Sequence, residues 1–138
     1  MDIKRCDHDH YITGMSALAI PSYGWFGTDW SAWAVFSGDK PCYRSGFEYP
    51  STKHIFGDYG IVDKTDYLHR EGMTNGEPVF VANPERAVAD IIYKYKDEKN
   101  DLSWLSLDSF KFSKNSLDII KSMVVKIPGN SRCKTLFG

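Results

Sequence analysis

Residues 83–96 have the sequence NPERAVADIIYKYK, which predicts the most strongly marked helix of the chain. Asn83 can cap this helix, because its side-chain oxygen can accept a hydrogen bond from an open backbone N–H group. Pro84 suits the first helical position, which needs no N–H donor, and the helix dipole favours an anion at Glu85. One apolar face follows at helical spacing, formed by Ala87, Val88, Ile91, Ile92 and Tyr95. We therefore predict a helix over about Pro84–Lys96.

Two charged residues of this helix, Arg86 and Asp90, lie four positions apart. Side chains with that spacing are neighbours on a helix, so we expect an ion pair on the helix surface that contributes about 0.2–0.5 kcal/mol. We regard the cap and this pair as one structural motif: Asn83, Pro84, Glu85, Arg86 and Asp90.

The chain before this helix has the pattern of β structure from Trp30 to about Ala82, because short apolar runs alternate with glycine and asparagine turns. We predict strands at Trp33–Phe36, Cys42–Tyr49 (paired back on the first), Lys53–Phe56, Gly60–Asp63, Asp66–His69 and Pro78–Ala82. Earlier still, the apolar residues of Tyr11–Ala19 recur at three- and four-residue spacing, which predicts a short helix.

Two more helices are predicted after a charged break at residues 96–101. One lies around Trp104–Phe110, and the other contains Leu117–Val124, with Ser113 or Asn115 as its cap and a stop at Ile127–Asn130. Because strands cluster instead of alternating with helices, we predict an α+β fold. It has an N-terminal helix, a central mostly antiparallel or mixed sheet and C-terminal helices, in one domain over residues 1–138.

The composition is that of an ordinary globular protein. Of 138 residues, 42% are hydrophobic and 25% charged, and 17 Lys+Arg face 18 Asp+Glu, so the strongly basic balance of many nucleic-acid-binding domains is absent. The first ten residues contain no apolar run of an export signal, and no apolar stretch of about 18 residues is present. The three cysteines lie far apart, which is typical of free thiols in a reducing compartment. We expect a cytoplasmic protein that has no membrane segment.

The N-terminal residues have side chains of the types that bind metals: Cys6, Asp7, His8, Asp9 and His10. A His-x-His at a chain terminus supplies few ligands and no fixed surroundings, so we expect a solvated polar terminus and no metal site. The sequence also lacks the glycine-rich patterns that hold nucleotide phosphates, and we expect no cofactor.

Cys42 with His54 or His69 would form a nucleophile and base only if the fold brought them together. We expect an ordinary cysteine instead, and no enzymatic activity. An enzyme that uses Cys42, a histidine or clustered carboxylates is the third hypothesis for function.

Residues 23–33 form an unusual aromatic segment, YGWFGTDWSAW. Aromatic residues of this kind are enriched in the energetically dominant parts of protein interfaces. The candidate partner-binding residues are Tyr23, Trp25, Phe26, Trp30 and Trp33. The alternatives are a loop whose rings pack into the core and, less favoured because few cations accompany the rings, a platform for stacking bases.

The C-terminal part is locally basic: Lys111, Lys114, Lys121, Lys126, Arg132 and Lys134 outnumber Asp108 and Asp118. A row of lysines on a helix is usually a solvated face. Attraction to nucleic acid is the alternative, which makes a DNA-binding transcriptional regulator the second hypothesis for function.

Two segments together resemble the antitoxin domain of AbiEi-family proteins. Residues 11–18, YITGMSAL, are similar to the opening of that domain, and residues 83–90, NPERAVAD, are similar to its Pro-Glu-Arg-Ala helix start, which also follows a β segment. The order of elements is similar as well: an opening helix, a sheet, the Pro-Glu-Arg helix and a small helical tail. The resemblance extends over about Tyr11–Arg132.

The resemblance implies a member of the type IV toxin–antitoxin systems of phage defence. Antitoxins of this family typically have an N-terminal winged helix-turn-helix that binds promoter DNA, and a C-terminal domain that counters a nucleotidyltransferase-like toxin. Only ten residues precede Tyr11. We therefore expect a domain of the C-terminal type without the winged helix-turn-helix, and no family catalytic residue is carried over.

The leading hypothesis is a non-enzymatic, protein-binding antitoxin-like or inhibitor domain of a bacterial or phage conflict system. Its partner would be a toxin or a host defence complex. A phage or plasmid inhibitor of such a complex, similar in role to an anti-CRISPR, has the same physical description. The sequence does not choose between them, nor does it indicate the oligomeric state.

Overall fold

The structure is a computed structural model that describes residues 6–20, 32–37, 39–74, 76–95 and 112–127. Within these ranges the chain forms helices and two short strands, an α+β architecture as predicted. In chain order the elements are α1 (Gly14–Leu18), α2 (Ala32–Ser37), α3 (Lys53–Phe56), β1 (Ile61–Asp63), α4 (Thr65–Arg70), β2 (Phe80–Ala82), α5 (Pro84–Lys94) and α6 (Lys114–Val124).

The sheet is built around β2. β1 pairs antiparallel with β2, in the register Ile61↔Ala82, Val62↔Val81 and Asp63↔Phe80. On the other side of β2, Ile12 lies parallel to Val81, and its N–H donates to the carbonyl of Phe80 at 2.9 Å. Ile12 also bridges Arg44 in antiparallel orientation. The backbone pairing therefore includes antiparallel and parallel contacts, consistent with the predicted mostly antiparallel or mixed sheet. The strands predicted at Gly60–Asp63 and Pro78–Ala82 are confirmed, with the shorter bounds Ile61–Asp63 and Phe80–Ala82.

Three predicted strands are wrong, because Trp33–Phe36 lies in α2, Lys53–Phe56 forms α3 and Asp66–His69 lies in α4. A run of four residues is too short for its periodicity to distinguish a strand from one helical turn. In α2 the buried residues have spacings of three and four, which is a helical pattern: Ala32, Val35 and Phe36. The composition of this segment predicts a strand, but the segment forms a helix because a helix buries these three side chains on one face.

The predicted strand at Cys42–Tyr49 is also wrong. The structure has isolated bridges in this segment: Arg44 pairs with Ile12, and Ser45 pairs with Tyr49. The segment therefore pairs with the N-terminal extended residues and not with residues 33–36. Glycine at position 46 has a φ of +81°, which fits a turn between the two bridged residues.

The predicted N-terminal helix is shorter in the structure, because Tyr11–Thr13 join the sheet and only Gly14–Leu18 are helical. Gly14 has a φ of +65° and a β-carbon there would lie 2.6 Å from the hydroxyl oxygen of Tyr49. A glycine is thus required where the extended segment turns into α1.

The core is centred on α5, which packs against α1, α6 and β2. Its cap is confirmed, since the Asn83 side chain accepts a hydrogen bond from the Arg86 N–H at 2.8 Å. Of the two predicted caps of α6, the structure selects Ser113, whose hydroxyl accepts from the Ser116 N–H at 3.1 Å. The predicted helix at Trp104–Phe110 lies outside the described residues. Among the described helices the longest have 11 residues, too few to cross a bilayer.

Candidate functional site

The predicted pair of Arg86 and Asp90 is present, but the expectation of a surface pair is wrong. Arg86 is 0% exposed and Asp90 is 1% exposed, and Arg86 Nε donates to Asp90 Oδ1 at 3.2 Å. A spacing of four makes two side chains neighbours on a helix without deciding whether their face is covered. Here it is covered, and the pair forms the centre of a buried polar cluster.

The guanidinium of Arg86 is held on all sides by protein groups. Nη1 donates to the carbonyls of Gly57 at 2.9 Å and Tyr59 at 2.8 Å, and Nη2 donates to Thr52 Oγ1 at 3.0 Å. The rings of Tyr11 and Phe56 flank it, with centroids 5.4 and 5.3 Å from Cζ. The fork of an arginine side chain suits such divergent acceptors.

The carboxylate of Asp90 accepts four hydrogen bonds. Oδ2 accepts from the hydroxyls of Tyr11 at 2.8 Å and Thr13 at 2.7 Å, and Oδ1 accepts from Thr52 at 2.7 Å and from Arg86. Burial raises the pKa of Asp90, and the charge of Arg86 and the three hydroxyl donors oppose that shift. Burial and the nearby carboxylate raise the pKa of Tyr11 to about 12.

We call these five residues the Asp90 network: Tyr11, Thr13, Thr52, Arg86 and Asp90. All five are buried. The network joins α5 to the extended N-terminal segment, to the start of α3 and to the loop before β1. Because a buried charge is stable only when its partners are present, this arrangement holds the chain together and offers no exposed group to a substrate.

Sequence analysis missed three members of the Asp90 network. Tyr11 and Thr13 are two positions apart, and residues with that spacing in an extended segment point to the same side. That spacing could have predicted that Tyr11 and Thr13 share one side of the segment. Thr52 had no signal, because its contacts with Arg86 and Asp90 bridge 34 and 38 positions of the chain.

Gly60 lies where β1 contacts the start of α5. Its φ is +78°, and a β-carbon there would lie 2.6 Å from Asn83 Oδ1 and 2.8 Å from the β-carbon of Arg86. Its carbonyl also accepts from the Asn83 N–H at 2.7 Å. The missing side chain at position 60 lets β1 approach the capped start of α5.

The predicted partner-binding residues are only partly covered by the structure. Tyr23, Trp25, Phe26 and Trp30 lie outside the described residues. Trp33 is described, lies in α2 and is 55% exposed, with its ring end close to Gly72. Trp33 therefore presents an aromatic surface, as an interface residue must before binding.

The N-terminal residues with metal-binding side chains contact several different groups. Cys6 donates to the carbonyl of Phe80, His8 lies near Asp58, Asp9 pairs with Lys53, and His10 pairs with Asp7. Across the part of the chain that the structure describes, no group of three or more His, Cys, Asp or Glu side chains is arranged to hold a metal ion.

The structure does not pair Cys42 with either candidate histidine. The His54 ring packs edge-on against Tyr93, with centroids 6.1 Å apart, and His69 Nδ1 lies 3.3 Å from the carbonyl of Thr74. Burial raises the pKa of Cys42 to about 12. The reactive thiolate is therefore disfavoured at this position.

The predicted basic region is described in part. Lys114, Lys121 and Lys126 are exposed on and just after α6, where Asp118 is also exposed. Lys111, Arg132 and Lys134 lie outside the described residues. The described cations thus have the solvated positions that are usual for a lysine-bearing helix face.

A cavity of about 330 Å³ lies where β1 and β2 meet the start of α5. We call it the β1 cavity, and its lining residues are Ile20, Val62, Lys64, Val81, Ala82, Asn83, Pro84 and Glu85. Three apolar residues in this lining, Ile20, Val81 and Ala82, are each only 2% exposed. Lys64 and Glu85 add one charge of each sign. A mainly apolar concavity with a few polar groups is suited to binding an apolar group of another molecule.

Comparison of the chain with protein-family models, with curated proteins and with solved structures finds no match in any of the three. The functional argument therefore depends on the geometry above and on the residues themselves.

Proposed function

We propose that the chain is a non-enzymatic protein-binding domain of antitoxin or inhibitor type. The observation that carries the proposal is the contact between the two segments that resemble the AbiEi antitoxin domain. Tyr11 and Thr13, of residues 11–18, both donate to Asp90, of residues 83–90, at 2.8 and 2.7 Å. Such a contact is expected if the matching residues of both segments maintain a common fold.

The surface features support binding to a protein. Trp33 is a largely exposed tryptophan, and the β1 cavity is an apolar concavity beside a strand with an exposed valine, Val62. Exposed aromatic residues and apolar pockets are the usual anchors of protein interfaces.

The proposal is tested by capture with the tagged full chain from a bacterial lysate at moderate salt. Mass spectrometry identifies bound proteins, and a nucleic-acid stain detects DNA or RNA. One stoichiometric protein partner that stays bound as salt is raised is the expected result. Its identity, toxin or host defence complex, distinguishes an antitoxin from a phage or plasmid inhibitor.

Bound nucleic acid that is released as salt rises would support the DNA-binding regulator instead, because phosphate contacts weaken steeply with ionic strength. Absence of any partner would contradict the proposal.

A matched pair of variants tests the role of Trp33. Replacing Trp33 with Ala is expected to weaken capture by at least about tenfold without changing the thermal unfolding midpoint, since exposed tryptophans often dominate an interface. The control is Val125→Ala, which removes another exposed apolar side chain, 69% exposed at the end of α6. Equal capture of the partner by both variants would show that Trp33 is not part of the binding surface.

A further inference from the structure

We infer that the partner docks as an added β-strand along the outer edge of β1, with one large apolar side chain in the β1 cavity and an acidic side chain beside Lys64. This inference rests on the proposed protein-binding function and specifies the surface and the chemistry of the partner.

The direction of the backbone groups of β1 is set by its pairing with β2. The Asn83 N–H donates to the carbonyl of Gly60 at 2.7 Å, and the Lys64 N–H donates to the carbonyl of Val79 at 2.9 Å. Since inward- and outward-facing residues alternate in an antiparallel pair, Gly60, Val62 and Lys64 face β2. Ile61 and Asp63 then direct backbone groups to the outer edge. The Ile61 N–H donates there to the carbonyl of Asp58 at 3.3 Å, so the groups offered to an added strand are the Ile61 carbonyl and the N–H and carbonyl of Asp63.

That outer edge has no partner strand within the described ranges, where the pairings of β1 are those with β2 alone. Exposure rises along the strand, from half-buried Ile61 to exposed Val62 and Asp63. An edge of this kind is a template for an extended segment of another chain, which gains main-chain hydrogen bonds by joining it.

The β1 cavity lies within reach of such a segment. Side chains two positions apart share a face of a strand, so Val62 and Lys64 point to the side on which the cavity opens. An added strand would lie about 4.8 Å from β1. Diagonal neighbours at about 7–8 Å are still within reach of aromatic and long side chains. An aromatic or leucine side chain of the added strand can therefore cover Val62 and enter the cavity.

The charged residues that line the β1 cavity, Lys64 and Glu85, indicate which charge a partner residue beside the cavity should carry. Lys64 directly follows β1 and lines the cavity, with its ammonium 5.4 Å from the centroid of the Tyr67 ring. Glu85 lies on the opposite side, in the first turn of α5, and accepts a hydrogen bond from the Ser116 hydroxyl at 2.7 Å. The exposed carboxylate of Asp63 points to the other face of β1, because successive side chains of a strand alternate. On the cavity face of β1 the charged residue is therefore Lys64, which favours a carboxylate on the partner.

The experiment is a selection of short random peptides on the immobilised full-length chain, followed by affinity measurements with variants. Val62→Asp places a charge at the cavity, and Lys64→Glu reverses the charge of the rim. Asp63→Pro removes the outward N–H, and proline is tolerated at edge positions whose N–H faces solvent. Asp63→Ala is its matched control, because it removes the same side chain and keeps the N–H. Val125→Asp controls for a new charge at a distant exposed valine.

The expected peptides carry a large apolar residue with an acidic residue nearby in an alternating pattern. Val62→Asp and Asp63→Pro are expected to weaken their binding by at least about tenfold, whereas Asp63→Ala and Val125→Asp leave it unchanged. Selection on Lys64→Glu is expected to enrich basic residues instead. All variants must keep the thermal unfolding midpoint, and Val62→Thr replaces Val62→Asp if the latter does not.

The inference is overturned if no peptides are enriched, or if those enriched bind Val62→Asp and Asp63→Pro as tightly as the unchanged chain. A dimer of the free protein that dissociates in Val62→Asp would also overturn it, because a second copy would then occupy the edge. If lysate capture yields a protein partner that Val62→Asp retains, this docking mode fails and the proposed function stands. If no partner is captured, the proposed function itself fails.

Discussion

The Asp90 network and the outer edge of β1 use polar groups in opposite ways. In the network, hydroxyls, a carboxylate and a guanidinium satisfy one another inside the protein. At the edge, backbone groups of β1 point away from β2, beside an apolar cavity that is also lined by two charged residues. The buried polar residues of the network therefore support the fold, and the candidate for binding is a short strand of ordinary composition.

The largest expected effect is on the network. Asp90→Ala leaves Arg86 buried without its carboxylate, and we expect a loss of about 3–5 kcal/mol in the free energy of unfolding. Urea denaturation measures it. The control is Lys53→Ala, which breaks an ion pair of Lys53 with Asp9 at the surface and is expected to cost far less, because exposed ion pairs contribute little to stability. Similar losses in both variants would show that the network is not the main support of the fold.

The second-largest expected loss of stability is at Gly60, where the residue before β1 contacts Asn83 and Arg86. Gly60→Ala forces a side chain onto Asn83 and Arg86 at positive φ, so we expect a loss of more than about 2 kcal/mol. Gly72→Ala is the matched control. Gly72 also has a positive φ, of +74°, but a β-carbon there would be 3.8 Å from the Trp33 ring. Its cost is expected to be about 1–2 kcal/mol. A smaller loss for Gly60→Ala than for Gly72→Ala in the same denaturation assay would contradict the close packing of β1 on α5.

A smaller loss is expected from the helix cap. Asn83→Ala removes the acceptor for the Arg86 N–H and is expected to cost about 1 kcal/mol. Ser113→Ala removes the corresponding cap of α6 and serves for comparison. The Asp90 network should survive both changes, so thermal unfolding should stay a single cooperative transition. A cost for Asn83→Ala as large as that of Asp90→Ala would mean that the cap and the network act as one unit.

The smallest effect is one of reactivity. Because burial raises the pKa of Cys42 to about 12, its thiol stays protonated in the folded chain well above the ordinary cysteine value. At pH 8 we expect iodoacetamide to label Cys42 more slowly than in the chain unfolded in urea, by at least about a hundredfold. The rate should rise as the pH approaches 12. Mass spectrometry assigns the label to each cysteine, and equal rates in both states would restore Cys42 as a candidate nucleophile.

Residues 83–94 show what local sequence can predict. The cap, the proline at the first helical position and the apolar face are all encoded within about one dozen neighbouring residues, and the helix was found where these signals place it. The β2 strand just before it agrees with the strand predicted at Pro78–Ala82 from a short apolar run that follows the turn residues Asn75 and Gly76.

The candidate site was less accessible to sequence reasoning. Burial of the Arg86–Asp90 pair depends on Tyr11, Thr13 and Thr52, which are distant in the chain. The β1 cavity exists only because β1, β2 and the first turn of α5 come together. Short segments such as Lys53–Phe56 and Asp66–His69 became helices for the same reason, because tertiary packing overrides weak local preference.

The most direct test of the central claim is comparative capture with three forms of the full chain: unchanged, Val62→Asp and Val125→Asp. The account predicts one protein partner in stoichiometric amount with the unchanged chain and with Val125→Asp, resistant to raised salt, and lost with Val62→Asp although that variant unfolds at the same temperature. Nucleic acid alone, released as salt rises, or equal protein capture by all three forms, would contradict the account.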